Sequence, residues 1–270
     1  MAGLFGSLGG KFYTFKNKKD GMVEEKVVYQ NEAHEKEVAN RKAFSKAQAI
    51  LQAENVSKII PVESFLKLSE HHDFRNPRWG SRRVGRVLNY CMAILDNERY
   101  REGGVIDDEN YQWAVDIVTW IAFLHLLPVR YQLKTNDVYS FCRPIILEVI
   151  SIAEKKKGAY FDEMEKELII DCAIKSHEIP AEKHIILDAF HDACILDNQM
   201  YDDILHKELL RTEMAKTEAY QAWVRKVSLK NLQPSWVLYL QGIWGLDTLS
   251  NISNDEQKVY QEDIDGDTII

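Results

Sequence analysis

The stretch VGRVLNYCMAIL, residues 84–95, decides the fold class of this chain. A second stretch, IVTWIAFL at residues 117–124, is apolar on nearly every side, which is typical of a helix at the centre of a core. Both predict packed helices rather than strands. In the first stretch the apolar side chains follow the i, i+3, i+4, i+7 spacing of one helix face: Val84, Val87, Leu88, Cys91, Met92 and Leu95.

Helical patterns continue along most of the 270 residues, and signs of a sheet are few. The chain has only 13 glycines and 6 prolines, which disfavours a turn-rich all-β fold. Residues 11–15 are a candidate for a short strand, and a long helix is expected over residues 202–227. We therefore predict an all-α protein, a single multi-helix globular bundle of about eight or nine helices, with an irregular N-terminal arm and an acidic C-terminal tail.

Shifts in composition divide the chain into three parts. Residues 1–25 are rich in Gly, Phe and Lys and are expected to form a flexible arm. Residues 26–246 form the predicted all-helical domain, with a candidate sub-boundary near residues 128–136. Residues 247–270 are acidic and polar, so we expect a mobile tail. Early in the domain, one apolar stripe at helical spacing comprises Ala43, Phe44, Ala47, Ile50 and Leu51.

Charge and cysteine content limit the classes of function. The formal net charge is −8, so any nucleic-acid contact needs a local basic patch. The four cysteines lie far apart among apolar helical positions, which predicts buried thiols. We find no apolar run of membrane-span length and no secretory or cofactor-binding motif. We therefore expect a cytoplasmic protein without a cofactor or a transmembrane segment, either free or peripheral at a membrane.

The segment FRNPRWGSRRVGR, residues 74–86, holds five arginines and no acid. Guanidinium groups match phosphate geometry and aromatic rings stack on bases, so RNA is one candidate partner and an acidic protein or lipid head group is another. Arg82 and Arg86 are one helical turn apart and are expected to share an outward face. The alternative is that the arginines pair with carboxylates inside the fold. The candidate nucleic-acid or phosphate site comprises Arg75, Arg78, Trp79, Arg82, Arg83 and Arg86.

The N-terminal arm is a candidate for membrane or subunit contact. Its bulky apolar residues would form one stripe if the arm were helical, and lysines flank them. Four glycines at positions 3, 6, 9 and 10 oppose a helix in water. The alternative is an arm that packs on its own domain or on a neighbouring copy. The candidate contact residues are Leu4, Phe5, Leu8, Lys11, Phe12 and Phe15.

The last predicted helix, residues 234–244, is strongly aromatic. Large aromatic side chains anchor many protein interfaces, although burial in the core is their more common fate. In a cellular helical adaptor, this helix would dock a protein partner through Trp236, Tyr239 and Trp244.

His184, Asp188 and His191 fall at i, i+4 and i+7, a spacing able to hold a metal, and Asp192 follows. The dipeptide His191-Asp192 on a helical scaffold resembles the HD-domain phosphohydrolases, and His72-Asp73 is a second such dipeptide. This resemblance implies a metal-dependent phosphohydrolase. That family also uses an upstream His and a downstream Asp, which this chain does not define. The alternative is a plain amphipathic helix with His184 and Asp188 on its wet side.

Taken together, these patterns favour a non-enzymatic helical protein of assembly or interaction over an enzyme. We expect its helical core to self-associate, its basic segment to meet nucleic acid or an acidic partner, and its arm to meet a membrane or another subunit. Viral matrix and nucleocapsid proteins have a similar general layout, which is an analogy of architecture. The adaptor and the phosphohydrolase are the alternatives.

Overall fold

A computed structural model describes residues 11–19, 22–30, 32–76, 78–131, 137–158, 161–176, 178–180, 183–198 and 205–246. The chain divides into two units, an N-terminal unit Met1–Leu51 and a helical unit Gln52–Ile270. The expected tail, residues 247–270, and residues 132–136 of the candidate sub-boundary lie outside the described residues. The prediction of an all-α fold is confirmed. The helices are α1 Glu32–Ile59, α2 Val62–Ser69, α3 Ser81–Tyr100, α4 Asp108–Leu124, α5 Leu127–Tyr131, α6 Val138–Lys157, α7 Glu163–Ile174, α8 Ile185–Asn198, α9 Glu213–Lys216, α10 Glu218–Leu229 and α11 Ser235–Ile243.

The N-terminal unit adds a β-hairpin to this helical fold. Strands β1, Lys11–Lys19, and β2, Met22–Gln30, pair antiparallel, from Lys11 opposite Gln30 to Lys19 opposite Met22. The expected strand at residues 11–15 is therefore the first half of a longer one. Both strand sequences are rich in β-branched and aromatic residues, and the dipeptide Asp20-Gly21 between them favours two-residue hairpin loops.

The core of the helical unit forms around α4 and α3. From Ala114 to Leu124 only Asp116 of α4 is not buried, because apolar residues cover nearly every side of that half of the helix. Helix α3 packs against α4, α8 and α11, while α4 also packs against α7 and α8. Five of the six residues on the predicted face of α3 are buried, with Val87, Leu88 and Cys91 fully inside, and Met92 is half-buried. All four cysteines are buried free thiols, as predicted.

Short polar caps fix where several helices begin. The Asp107 side chain accepts a hydrogen bond from the backbone N–H of Asn110 at 2.8 Å, which starts α4. At the start of α7, Asp162 and Glu165 form a reciprocal capping box. These caps satisfy backbone donors that the first helical turn leaves without partners.

The stretch Asp108–Val129 is long and apolar enough to cross a membrane by length and composition alone. Within the fold, 78% of its apolar window is buried. It provides the central packing surface of the helical unit, so its composition is weak evidence for a membrane span.

Residues 202–227 do not form the single long helix that the sequence suggested. Residues 202–204 lie outside the described residues, and the rest divides into a 3-10 turn at Lys207–Leu209, α9 and most of α10. The carboxylate of Asp192 on α8 accepts hydrogen bonds from the backbone N–H groups of Arg211 and Thr212. These backbone donors are therefore directed to a neighbouring helix, and the Thr212 side chain caps α9 instead.

Candidate functional site

The predicted basic segment begins in a tightly bonded loop between α2 and α3. The Asn76 side chain accepts hydrogen bonds from the backbone N–H groups of Arg78, at 2.9 Å, and Trp79, at 2.8 Å. His72 Nε2 donates to the Trp79 carbonyl oxygen at 2.6 Å. A Cβ atom added at Gly80 would lie 2.3 Å from two carbonyl oxygens, so the loop closes too tightly for another residue there. The position of Trp79 is therefore fixed by the backbone around it.

The exposed part of the segment is smaller than predicted. Arg75 and Arg78 are exposed, and Arg75 pairs with Asp73 at 3.1 Å. Trp79 and Arg82 are half-buried. The Arg78 guanidinium lies 5.6 Å from the centre of the Trp79 ring, within the range of a cation–π contact. We call Arg75, Arg78, Trp79 and Arg82 the basic loop.

Arg83 and Arg86 belong to the core, and the prediction that Arg82 and Arg86 share an outward face is wrong for Arg86. Arg86 is fully buried and donates to both carboxylate oxygens of Asp197, at 2.6 Å from Nε and 3.2 Å from Nη2. Arg83 is 4% exposed and donates to the same carboxylate at 2.8 Å. Burial alone would raise the pKa of Asp197, but the two guanidinium groups outweigh it and hold that pKa below its ordinary value.

The Asp197 cluster also connects elements that are distant in sequence. Arg86 Nη1 donates to the Asn231 side chain at 2.7 Å, just after α10 ends. Ser228 of α10 donates to Asp197 at 3.2 Å. Removing one member of a buried ion pair costs about 3–5 kcal/mol, because the other charge then stays buried without it. Arg83 and Arg86 are therefore held by the fold and are unsuited to binding an external phosphate.

The aromatic side chains of α11, and of Trp244 directly after it, pack mainly against other helices of the core. Trp236 is 2% exposed, and its Nε1 donates to Asn89 on α3 at 2.9 Å. Trp244 stacks on Phe65 of α2, with ring centres 4.4 Å apart, and Tyr239 is half-buried. The prediction that Trp236 binds a partner is wrong, because its ring fills the space between α11 and α3.

The structure does not assemble the metal site suggested by His184, Asp188 and His191. Asp188 is 3% exposed, not on a wet face, and accepts a hydrogen bond from Arg211 Nε. Asp192 uses its oxygens for the backbone N–H groups of Arg211 and Thr212. Across the described residues, no group of three His, Cys, Asp or Glu side chains is arranged to hold a metal ion.

Part of the predicted contact surface of the arm cannot be placed. Leu4, Phe5 and Leu8 lie outside the described residues. Lys11, Phe12 and Phe15 lie in β1, so the helical stripe expected for them does not form. A stripe spaced for a helix does not persist along a strand, whose side-chain period is two residues.

An exposed apolar surface lies on α1 in the N-terminal unit, where the sequence predicted an apolar stripe but no contact site. Residues 41–48 of this helix are all exposed. Phe44 is 66% exposed and Leu51 is 56% exposed, and the two are two helical turns apart. With Ala47 between them, they form the outer part of the apolar stripe noted at residues 43–51. We call Phe44, Ala47 and Leu51 the α1 stripe; the regular helical spacing was its signal in the sequence.

Comparison with protein-family models, with curated proteins and with solved structures found no match to this chain.

Proposed function

We propose that this chain is a non-enzymatic helical protein that assembles with copies of itself through the α1 stripe. The observation that carries the proposal is the exposure of Phe44 and Leu51 on one face of α1. Large apolar side chains that recur along one exposed helix face typically mark an interaction surface. The residues of the N-terminal unit that the structure describes form a hairpin and one helix, and an exposed apolar stripe on a helix is stabilised when a second layer covers it.

The charge order along α1 favours a second copy as the occupant of this surface. With the two α1 stripes facing each other antiparallel, Phe44 of one copy lies opposite Leu51 of the other. The same register would place Glu37 opposite Lys58 and Arg41 opposite Glu54, so that opposite charges meet on both sides of the stripe. Such an interface is self-complementary under twofold symmetry, the most common arrangement in homo-oligomers.

Light scattering combined with size-exclusion chromatography over a range of protein concentrations tests this proposal. We expect the native chain to form dimers or larger assemblies as its concentration rises. Replacing Phe44→Glu together with Leu51→Glu should leave a monomer, because each partner stripe would then bury two carboxylates against apolar surface.

A matched control is Leu238→Glu with Ile243→Glu on α11, where the two side chains are 44% and 47% exposed. This control should assemble as the native chain does. A native chain that is monomeric at every concentration, or assembly that persists in the α1 variant, would refute the proposal.

We propose anion binding at the basic loop as a second activity, with RNA as the candidate ligand. The observation that favours it is the fixed position of Trp79, with the guanidinium groups of Arg78 and Arg83 at 5.6 and 4.8 Å from the centre of its ring. A fixed aromatic ring beside exposed arginines suits a stacked base and its phosphate. Self-association with nucleic-acid contact would resemble the layout of viral nucleocapsid proteins, and a cytoplasmic location stays a prediction.

The binding of single-stranded RNA measured by fluorescence anisotropy at several salt concentrations tests the second activity. The double variant Arg78→Ala and Arg82→Ala should weaken binding. The slope of log affinity against log salt concentration should fall by an amount that corresponds to about one to two phosphate contacts. Arg225→Ala with Lys226→Ala removes the same charge from an exposed part of α10 and should have little effect. Equal losses in both variants would argue against a specific site at the basic loop.

A further inference from the structure

The end of α11 and the basic loop lie side by side in the helical unit. The ring of Trp244, directly after α11, stacks on Phe65 with the ring centres 4.4 Å apart, and Phe65 contacts Phe74 with the ring centres 4.8 Å apart. Phe74 directly precedes the basic loop in the sequence. Trp244 also lines a small apolar gap together with Ser81, which directly precedes Arg82. Trp244 is therefore close to both ends of the basic loop.

A fixed turn leads the chain out of α11 at this place. Gly245 has a φ of 67°, in the left-handed region, and its backbone N–H donates to the Gly242 carbonyl oxygen at 3.1 Å. The N–H of Leu246 donates to the Gln241 carbonyl oxygen at 3.0 Å, which completes a Schellman motif. Residues 247–270, the acidic tail, follow directly. The acidic tail therefore starts beside the basic loop.

The acidic tail carries most of the net negative charge of the chain. Seven of its 24 residues are Asp or Glu and one is Lys, so it accounts for six of the eight formal negative charges. Four of these seven acids fall within residues 262–267. The rest of the chain is close to neutral, so the tail is its main anionic segment.

The basic loop has the opposite charge. Residues 74–86 contain no acid, and within them Arg78 is exposed and Arg82 is half-buried. A guanidinium group can hold a carboxylate through two parallel hydrogen bonds, as it holds a phosphate. Carboxylates of the acidic tail and phosphates of a nucleic acid therefore suit the same arginines.

The length of the acidic tail allows it to reach the loop. Residue 262 follows Leu246 by 16 residues. An extended segment of that length spans up to roughly 55 Å, far more than the ring contacts around Trp244 require. Because the tail belongs to the same chain, its effective concentration at the loop is on the order of millimolar. A contact too weak to form between separate molecules can therefore form within one chain.

We propose that the acidic tail binds the basic loop of the same chain. The four carboxylates within residues 262–267 pair with the guanidinium groups of Arg78 and Arg82. RNA then has to displace the tail before its phosphates reach these two arginines. This consequence for RNA rests on the second activity proposed above, whereas the contact itself does not require RNA.

Carbodiimide cross-linking of the full chain tests the contact directly. The reagent joins a carboxylate to a lysine amine and does not act on arginine, so the variant Arg78→Lys supplies a reporter that keeps the positive charge. We expect cross-links from residues 262–267 to position 78 in the monomer band of a denaturing gel at low salt, with the joined residues identified by mass spectrometry. These cross-links should disappear at about 1 M salt, where the Debye length falls to about 3 Å.

Two lysines of the native sequence serve as controls for the cross-linking. Lys156 pairs with Glu63 at 2.7 Å and should be joined to it, which shows that the reaction has worked. Lys226 is exposed on α10 and should give several-fold fewer cross-links to the tail than position 78. Tail cross-links that are no more frequent at position 78 than at Lys226, or that occur only in a dimer band, would overturn the proposal.

Neutralising the acidic tail tests the consequence for RNA. Fluorescence anisotropy with single-stranded RNA compares the native chain with the fourfold variant Glu262→Gln, Asp263→Asn, Asp265→Asn and Asp267→Asn. An occupied fraction of about 80% in the native chain makes the expected gain in affinity about fivefold. The same four changes added to Arg78→Ala with Arg82→Ala should give no gain, because the arginines that the tail contacts are then missing.

A matched control removes four carboxylates from exposed positions of the helical unit. It consists of Glu102→Gln, Glu109→Gln, Glu178→Gln and Glu218→Gln, and its affinity for RNA should stay close to the native one. An equal gain in both fourfold variants would show that net charge alone sets the affinity, and would contradict competition by the tail. If neither the native chain nor the neutralised variant binds RNA while the cross-link forms, the RNA activity is refuted and the contact stands.

Discussion

His125 lies in the interior of the helical unit, at the end of α4, and is 2% exposed. Its Nδ1 donates to the carbonyl oxygen of Ala122 at 2.8 Å, and its ring meets Phe190 edge to face. Burial lowers the pKa of His125 to about 3, and the positive charge of Arg83 acts in the same direction. The folded chain therefore keeps this imidazole neutral at pH values where an exposed histidine is protonated.

This residue makes stability depend on pH. The folded pKa lies below the unfolded value of about 6.5, so the unfolded chain binds a proton that the folded chain excludes. The free energy of unfolding should fall as the pH falls from about 6.5 towards 3, with a share from His125 of about 1.4 kcal/mol per pH unit. Urea unfolding of the native chain and of His125→Leu, at pH 4.5 to 6.5, measures that share.

In His125→Leu the free energy of unfolding should depend less steeply on pH. The decrease in slope corresponds to about one fewer proton taken up on unfolding. Ile121→Val removes buried volume from the same helix but no titratable group, and it should keep the native slope. Asp197, whose pKa is lowered, loses its contribution only below about pH 4, outside this window. Identical slopes in the native chain and in His125→Leu would contradict the argument.

At the scale of elements, a single glycine sets how closely α11 approaches α3. A Cβ added at Gly85 would lie 2.7 Å from Val237 Cγ2 and 3.0 Å from Pro234 Cδ. A Cβ added at Gly242, on α11, would meet nothing within 4 Å. The two positions provide a matched pair, since both glycines lie within helices and only one lies in a packed contact.

Replacing each glycine by alanine should change stability in opposite directions. Gly242→Ala should raise the free energy of unfolding by about 0.5–1 kcal/mol, because alanine favours the helix. Gly85→Ala gains the same propensity but pushes α11 away, and overpacking typically costs about 1–3 kcal/mol, so we expect net destabilisation. Thermal and urea unfolding measure both, and equal stabilisation by the two variants would show that α11 moves without cost.

Elements were predictable from sequence where one local pattern decides them. The apolar spacing of residues 84–95 predicted α3, and the apolar run at residues 117–124 predicted the buried part of α4. The sequence also contained a local signal for the hairpin, the dipeptide Asp20-Gly21 between two β-rich runs. The four glycines at positions 3, 6, 9 and 10 instead favoured the prediction of a flexible arm over residues 1–25. The break near Thr212 depends on Asp192, twenty residues away, which periodicity alone does not reveal.

At the scale of the whole molecule, fold class was predictable but the candidate site was only partly so. Arg82 and Arg83 are neighbours in a run of arginines, yet one is half-buried and the other is part of the core. The difference arises from Asp197, which comes more than a hundred residues later. Likewise, the exposed α1 stripe and buried Trp236 follow from which helices pack together, and composition does not fix that.

The bond between Arg86 and Asp197 spans 111 residues of sequence. During synthesis, a nascent chain that ends before α8 holds two arginines destined for the interior but lacks the anion that they share. Burying the two guanidinium groups without the Asp197 carboxylate costs too much free energy. This face of α3 therefore stays exposed to solvent until α8 has left the ribosome. Closure of this core therefore waits for translation of its second half, and a chain terminated early is left as a substrate for chaperones or proteases.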